Sequence, residues 1–379
     1  MDCRGSSVLV VAGEASGDLH ASKLISELAV VCGDVRVFGV GGDRMRGAGV
    51  EILHHADEFA VTGLVEVVAH IPRLRNVMRG LVDEARDRDA RLAILVDYPG
   101  FNLLLARRLK AVGIPVFYYI SPQVWAWGER RVRAIARDVD RMAVILPFEE
   151  RFYRERGIAV DFVGHPLLEE PALAAPGTPK VLSEDPPVIG ILPGSRPNEL
   201  TRHLPVMLKA ARLLRDRIPG ARFRVGLAGD AGQPESLPDG IGDRIEIAPP
   251  GSAYDIMRES TALIVSSGTA TLEAACFGTP MVVVYRMQPL SFALGRRLVR
   301  IPDIGLVNVV AGERIVPELV QGDATPQRIA AEVESLLGDG TRYASLSTRL
   351  LEVWGTLGEP GASARAARIA ASMLTDGAS

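Results

Sequence analysis

The chain has 379 residues, too many for one ordinary core and suited to two domains. Hydrophobic residues make up 47% and charged residues 23%, which fits a soluble globular protein, and a net charge of −3 excludes a global basic field for nucleic acid. Cys3, Cys32 and Cys276 are odd in number and far apart. They predict neither a metal site nor a disulfide framework and favour a reducing, cytoplasmic setting. Residues 1–7 lack signal-peptide architecture, and no apolar run approaches the ~18 residues that span a bilayer.

In chain order, Val8 to Ala12 is a short apolar strand, followed by the glycine-containing loop Gly13 to Asp18 and a helix from Leu19 to Val31. Strand, loop, helix is the opening unit of a doubly wound α/β fold, although the Gly-x-Gly-x-x-Gly spacing of dinucleotide sites is absent. Ser16 and Asp18 either cap the helix or face a ligand. Val35 to Val40 is a second strand. Phe59 to Leu81 follows, with Val67, Val68, Ile71 and Leu74 among more apolar residues than one core-facing stripe needs, interleaved with Arg73, Arg75 and Arg79. Such a segment either packs as a core helix or lies in a membrane interface.

The run Ala93 to Val96 ends in Asp97, then Tyr98, Pro99 and Gly100. It reads as a buried parallel strand that places Asp97 at its carboxyl end, the edge where open α/β sheets bind ligands. A helix to about Val112, a strand from Pro115 to Ile120, the aromatic loop Ser121 to Gly128, a strand from Arg141 and a helix from Glu149 complete this half. Residues 171–187 carry five prolines without periodicity and read as a linker. The alternation then restarts with strands at Val188–Leu192, Phe223–Leu227, Ile245–Ile247, Ala262–Val265 and Met281–Tyr285, and the tail from Gln327 is helical. The expected division is residues 1–170, a linker to 187, a second domain 188–350 and a tail 351–379 that packs on the first domain or on a partner.

Leu192-Pro-Gly-Ser-Arg196 and Ser266-Ser-Gly-Thr-Ala-Thr271 each place small residues where a strand hands over to a helix. Free N–H groups at a helix start suit a diphosphate, Gly268 lets phosphate approach, Thr269 and Thr271 offer hydroxyls, and Glu273 lies one turn on, within reach of a ribose. The Walker lysine pattern is absent. Arg196 can neutralise charge on a diphosphate leaving group, with Asp97 as general base.

These pieces resemble the lipid-A-disaccharide synthase family. The matching segments are Val11 to Asp18, Asp97 to Asn102, Tyr119 to Trp127, Leu146 to Glu149, Phe162 to His165, Leu192 to Arg196, Ser267 to Glu273, Tyr285 to Met287 and Asn308 to Gly312, in family order. The resemblance implies two Rossmann-like domains of the GT-B glycosyltransferase type around a central cleft. It implies an inverting transfer from UDP-2,3-diacylglucosamine to 2,3-diacylglucosamine 1-phosphate (lipid X) that forms a β-1′,6 linkage and releases UDP. Asp97 then matches the base and Arg196 an arginine needed for activity. Glu14, Ser16, Asp18, Ser267, Gly268, Thr269, Ala270, Thr271, Glu273, Arg286 and Asn308 match substrate-binding positions. Neither a metal nor another cofactor is implied. Gly100 stands where relatives often carry an acidic residue, and Gln288 where many carry lysine, which leaves the base role on Asp97. Acylated substrates imply peripheral contact with the inner face of the cytoplasmic membrane through Val67, Val68, Ile71 and Leu74, while a homodimer stays open. The rival readings are a UDP-N-acetylglucosamine 2-epimerase on the same architecture and a non-catalytic nucleotide-sugar or lipid binder.

Overall fold

The computed structural model describes residues 3–59, 64–227, 244–288 and 302–376, the side chains of 64–71, 127, 129, 130 and 376 excepted. The chain divides into two compact units, Met1–Glu169 with Gly358–Ser379, and Glu170–Leu357.

The first unit is built on seven strands: β1 (Ser6–Ala12), β2 (Val35–Gly41), β3 (Glu51–His55), β4 (Ala90–Val96), β5 (Val116–Tyr119), β6 (Arg141–Val144) and β7 (Val160–Phe162). Their order is β3-β2-β1-β4-β5-β6-β7, and the pairings are parallel. Because β1 sits between β2 and β4, the chain reverses its winding there, and the β1 and β4 carboxyl ends flank a switch point. Strand period decides the layers. Leu9, Val11, Ala93 and Leu95 face one buried cluster with the helices Leu64–Asp87 and Pro99–Ala111, while Val8, Val10, Leu92, Ile94 and Val96 face another. Both faces are covered, which is why these strands are continuous apolar runs.

The second cluster includes the chain's last helix, Ala362–Asp376. Ala362, Ala366, Ala367, Ala370, Ala371 and Leu374 form its buried stripe, and the helix packs on the helix Ala15–Cys32. Small side chains let the two helix backbones come close. Ser363 donates to Glu169 through its N–H (2.6 Å) and its hydroxyl (2.9 Å). Residues 358–379 are therefore part of the first unit, while 351–357 of the expected tail belong to the second.

One expectation is overturned. Cys3 and Cys32 are disulfide-bonded, with Cα atoms 5.3 Å apart. Cys3 precedes β1, and Cys32 ends the helix that returns from the far edge of the sheet, so the right-handed crossover brings both to the amino end. A sequence separation of 29 conceals this proximity.

The second unit has β8 (Val188–Leu192), β9 (Arg222–Val225), β10 (Ile245–Ile247), β11 (Ala262–Ser266), β12 (Met281–Tyr285) and β13 (Glu318–Val320). Their order is β10-β9-β8-β11-β12-β13, parallel throughout, with its switch point between β8 and β11. The proline-rich stretch is irregular but anchored. Leu173 is buried and its carbonyl accepts from Trp354 Nε1 at 3.2 Å, and Lys180 Nζ donates to the carbonyls of Arg258 (2.6 Å) and Ser260 (2.8 Å). These carbonyls lie at the C-terminal end of the helix Ala253–Glu259, where a cation is favoured. Among the described residues, no helix is long and apolar enough to cross a membrane.

Candidate functional site

At the first switch point, Asp97 follows β4 directly. Asp97 and Tyr98 both have φ of 46°, the left-handed region, which is unusual for two consecutive non-glycine residues. Strain of this kind persists only where neighbours hold it. Here the Asp97 N–H donates to the Tyr119 carbonyl (3.0 Å), and its own carbonyl accepts from the Tyr118 hydroxyl (2.5 Å) and Asn102 Nδ2 (2.9 Å). The backbone grip fixes the half-buried Asp97 at the strand end and starts the next helix at Pro99.

The β1 loop comes to the same point. A Cβ on Gly13 would lie 2.4 Å from the Tyr98 ring, so only glycine lets the two loops meet. Gly13→Ala is expected to lower stability by about 1–3 kcal/mol through overpacking. Thermal unfolding checks this, and Tyr98→Ala in the same chain should relieve most of the loss. Glu14 and Ser16 are exposed beyond Gly13. The buried Asp18 carboxylate accepts from the N–H groups of Gly42 (2.6 Å), Met45 (3.1 Å) and Arg44 (3.2 Å). It anchors the loop after β2 and is committed to the protein's own backbone.

The aromatic loop after β5 is held from beneath. Glu149 is 1% exposed and accepts from the Ser121 hydroxyl (2.6 Å), Trp125 Nε1 (2.9 Å) and the Leu146 N–H (3.0 Å). Burial pushes its carboxyl up despite these bonds. Trp125 meets Phe148 edge-on at 5.0 Å, so this face of the loop is packed into the unit. Val67, Val68 and Ile71 lie outside the described side chains. Leu74 is half-buried against the core.

At the second switch point, the loops after β8 and β11 line one cavity of about 530 Å³. Its walls include Gly194, Arg196, Glu199, Ser267, Gly268, Thr269, Ala270 and Glu273. Gly194 has φ of +118°, and the Glu199 carboxylate folds back under it, accepting from the Ser195 N–H at 3.1 Å. Arg196 thus sits on a fixed turn, its side chain 73% exposed and 3.9 Å from Glu199. Gly268 has φ of +144°, and a Cβ there would meet open space, which leaves the backbone bare toward the cavity.

Burial, then the nearby Glu170 carboxylate, push the Glu273 carboxyl up to about 7. An acid raised from 4.5 favours the folded state least when it must ionise, so its contribution declines as pH rises from 4.5 to 7 and stays low above that. Glu273→Gln is therefore expected to match the native chain near pH 4.5 and exceed it at pH 8, by on the order of 2–3 kcal/mol. Denaturant midpoints at the two pH values check this.

Two further candidate residues are held within the protein's own frame. Thr271 is buried, with its hydroxyl donating to the Gly268 carbonyl (2.8 Å) and accepting from the Val307 N–H (3.2 Å). Asn308 is fully buried, its amide donating to the Val316 carbonyl (2.9 Å) and Glu318 (2.7 Å) while its oxygen accepts from Ile315 (2.9 Å) and Val316 (3.0 Å). Thr271 holds the 303–318 segment against the β11 loop, as the Ser267 hydroxyl does by donating to the Ile304 carbonyl (2.7 Å), while Asn308 ties that segment to itself. Arg286 does not line the cavity; its N–H donates to His203 Nε2 (2.9 Å). His203, unmarked in the sequence reading, is buried and donates from Nδ1 to the Pro193 carbonyl (2.8 Å), so its ring ties the arginine loop to the end of β12. Two Asp-x-Asp spacings, at Asp87/Asp89 and Asp138/Asp140, precede β4 and β6 and so lie at the opposite, amino end of the sheet from Asp97.

Two parallel sheets, each with its functional loops at a switch point, define the two-domain GT-B fold shared by glycosyltransferases and nucleotide-sugar epimerases. Among solved structures, the chain resembles a calicheamicin glycosyltransferase (TM-score 0.62, 18% identity, 99% of this chain and 100% of that one). It also resembles a UDP-GlcNAc 2-epimerase from Neisseria meningitidis (TM-score 0.60, 14% identity, 98% and 100%). The sequence separates the two. The family model described as lipid-A-disaccharide synthetase matches residues 8–371. Relatives called lipid-A-disaccharide synthase include those of Anaeromyxobacter sp. (strain K), 48% identical over 95% of both chains, and Syntrophus aciditrophicus (strain SB), 45% identical over 97% of both. The chain belongs to the lipid-A-disaccharide synthase family and is a glycosyltransferase.

Proposed function

We propose that the cavity of the second unit holds the UDP of UDP-2,3-diacylglucosamine and that Asp97 of the first unit activates the 6-hydroxyl of lipid X. The observation that carries this reading is the second-unit cavity, where Arg196, the bare backbone at Gly268 and the Glu273 carboxyl line one space of about 530 Å³. Gly268 to Ala270 offer N–H groups to the diphosphate, and Glu273 suits the ribose. The acceptor oxygen attacks the donor's anomeric carbon, the bond to the diphosphate breaks, and Asp97 takes the hydroxyl proton. Arg196 offsets charge growing on the departing UDP. One displacement inverts the configuration and needs no nucleophilic carboxylate. Glu14 and Ser16 are assigned to the acceptor side, with Ser267 and Thr269 on the donor side. Arg286 is assigned to positioning the arginine loop through His203.

The acyl chains of both substrates favour a protein that works at the inner face of the cytoplasmic membrane, with the segment holding Val67, Val68, Ile71 and Leu74 as its contact. Incubating the protein with both substrates and following products by mass spectrometry tests the reaction. Disaccharide 1-phosphate and UDP in equal amounts support it. Conversion of UDP-N-acetylglucosamine to its 2-epimer, with no disaccharide, would replace it with the isomerase reading.

A further inference from the structure

Two short helices supply facing parts of the second-unit cavity. Ala253 and Met257 belong to the helix Ala253–Glu259, and Ala270 and Glu273 to the helix Ala270–Cys276. Helices of seven residues are too short to hold themselves, so tertiary contacts must set their place. Both are tied at their carboxyl ends to one residue of the proline-rich stretch. Lys180 Nζ donates to the carbonyls of Arg258 (2.6 Å), Ser260 (2.8 Å) and Met257 (3.4 Å), at the end of the first helix. The Lys180 N–H donates to the Ser347 hydroxyl (2.7 Å), which in turn donates to the Gly278 carbonyl (2.6 Å), just past the second helix. Ser347 is fully buried on the long helix Gly340–Thr356, so the tie is anchored to the body of the unit.

The side chain suits this place. Of 43 basic residues only four are lysines, and here three carbonyls converge on one point. An ammonium presents three donors from a single atom, whereas a guanidinium spreads its donors over a plane. Burial pushes the ammonium down to about 8, a desolvation cost that an exposed linker lysine would not carry.

We propose that Lys180 is a positioning residue for the donor, clasping the ends of the two cavity helices and so setting the space between them. It does not line the cavity and acts through the helices alone. The Thr279 hydroxyl donates to the Met257 carbonyl (2.6 Å), a second tie between the same ends, so loss of Lys180 loosens the walls without releasing them. The inference rests on the cavity being the UDP site and adds to it a residue of the linker.

The test compares the native chain with Lys180→Met, which keeps the side-chain length and removes the donors, well below the unfolding temperature. Calorimetry should show UDP binding about tenfold weaker, in the range of one charge-assisted hydrogen bond. The donor KM should rise to match, while kcat and the lipid X KM stay within about threefold, because uniform binding is what is lost. A stoichiometry of one UDP per chain in the variant separates weakened binding from a misfolded fraction. Amide hydrogen exchange should quicken in residues 253–259 and 270–278 and not in β8. Lys180→Arg should recover only part of the affinity. Lys110→Met, which removes a surface lysine paired with Asp140, should leave UDP binding within about twofold. Ser347→Ala, which opens the clasp at its other end, should weaken UDP in the same direction by about threefold and gives a second reading if Lys180→Met does not fold. Unchanged UDP affinity in Lys180→Met would overturn the proposal. So would a loss confined to kcat, faster exchange across the whole second sheet, or failure of both variants to fold. A native chain that binds no UDP would overturn the assignment of the cavity itself, and this role with it.

Discussion

Replacing Asp97 with asparagine is expected to lower turnover by about 10²–10⁴, the range for removing a general base, while UDP affinity stays within about twofold. The two outcomes separate because Asp97 and the cavity proposed for UDP belong to different units. Asparagine has the shape of aspartate and tolerates the left-handed φ of 46° at this position, so the strained turn should survive. Its backbone bonds to Tyr118, Tyr119 and Asn102 use main-chain atoms and are indifferent to the side chain. What is lost is the ability to accept a proton. Asp97→Glu keeps the carboxylate but moves it by a methylene, and a displacement of about 1 Å can cost about 100-fold, so it should not restore full rate. Steady-state kinetics with both substrates, beside calorimetric UDP binding, would decide the matter. A variant that keeps half its turnover would remove Asp97 from the base role.

Arg196→Ala is the second large effect, expected at about 10²–10³ in kcat, in the range for removing one preorganised group that stabilises transition-state charge. The arginine stands on a turn fixed from three sides: Glu199 beneath Ser195, Gly194 at φ +118°, and His203 on the Pro193 carbonyl. Its position is set by the backbone, so removing its side chain should not disturb the loop. Charge on the diphosphate grows as the anomeric bond breaks, so kcat should fall more than the donor KM rises. Arg196→Lys should recover part of the rate, because lysine restores the charge but not the planar two-pronged donor. A change confined to KM would make Arg196 a ground-state binding residue.

Much of this architecture is legible in the chain. The bounds expected for β8, β10 and β12 agree with the structure to the residue, because apolar runs ending in Pro, Gly or polar turn residues leave little freedom. The strands that escape are edges. β7 and β13 have three residues each, and β3 is the half-exposed Glu51-Ile-Leu-His-His55, although the three-residue edge β10 is legible. Site residues divide in the same physical way. Asp97, Arg196 and Gly268 are visible because a polar or small residue interrupts an apolar strand at its carboxyl end. Asp18, Thr271 and Asn308 stand on helices beyond the strand ends, and their side chains bond backbone groups up to 36 residues away in sequence. Local spacing does not distinguish a side chain that grips a ligand from one that grips a distant loop. His203 shows the converse, since its partner Arg286 is 83 residues away and nothing near it in sequence marks the link.

The proposed reaction is a single displacement at the anomeric carbon, with Asp97 as the base and Arg196 supporting the leaving group. The most direct measurement is the configuration of the new glycosidic bond, read from the anomeric proton coupling of disaccharide made in the presence of EDTA. A β linkage formed from the α-configured donor, without metal, is the predicted result. An α linkage would demand a second nucleophile or a front-face path, and would contradict the account.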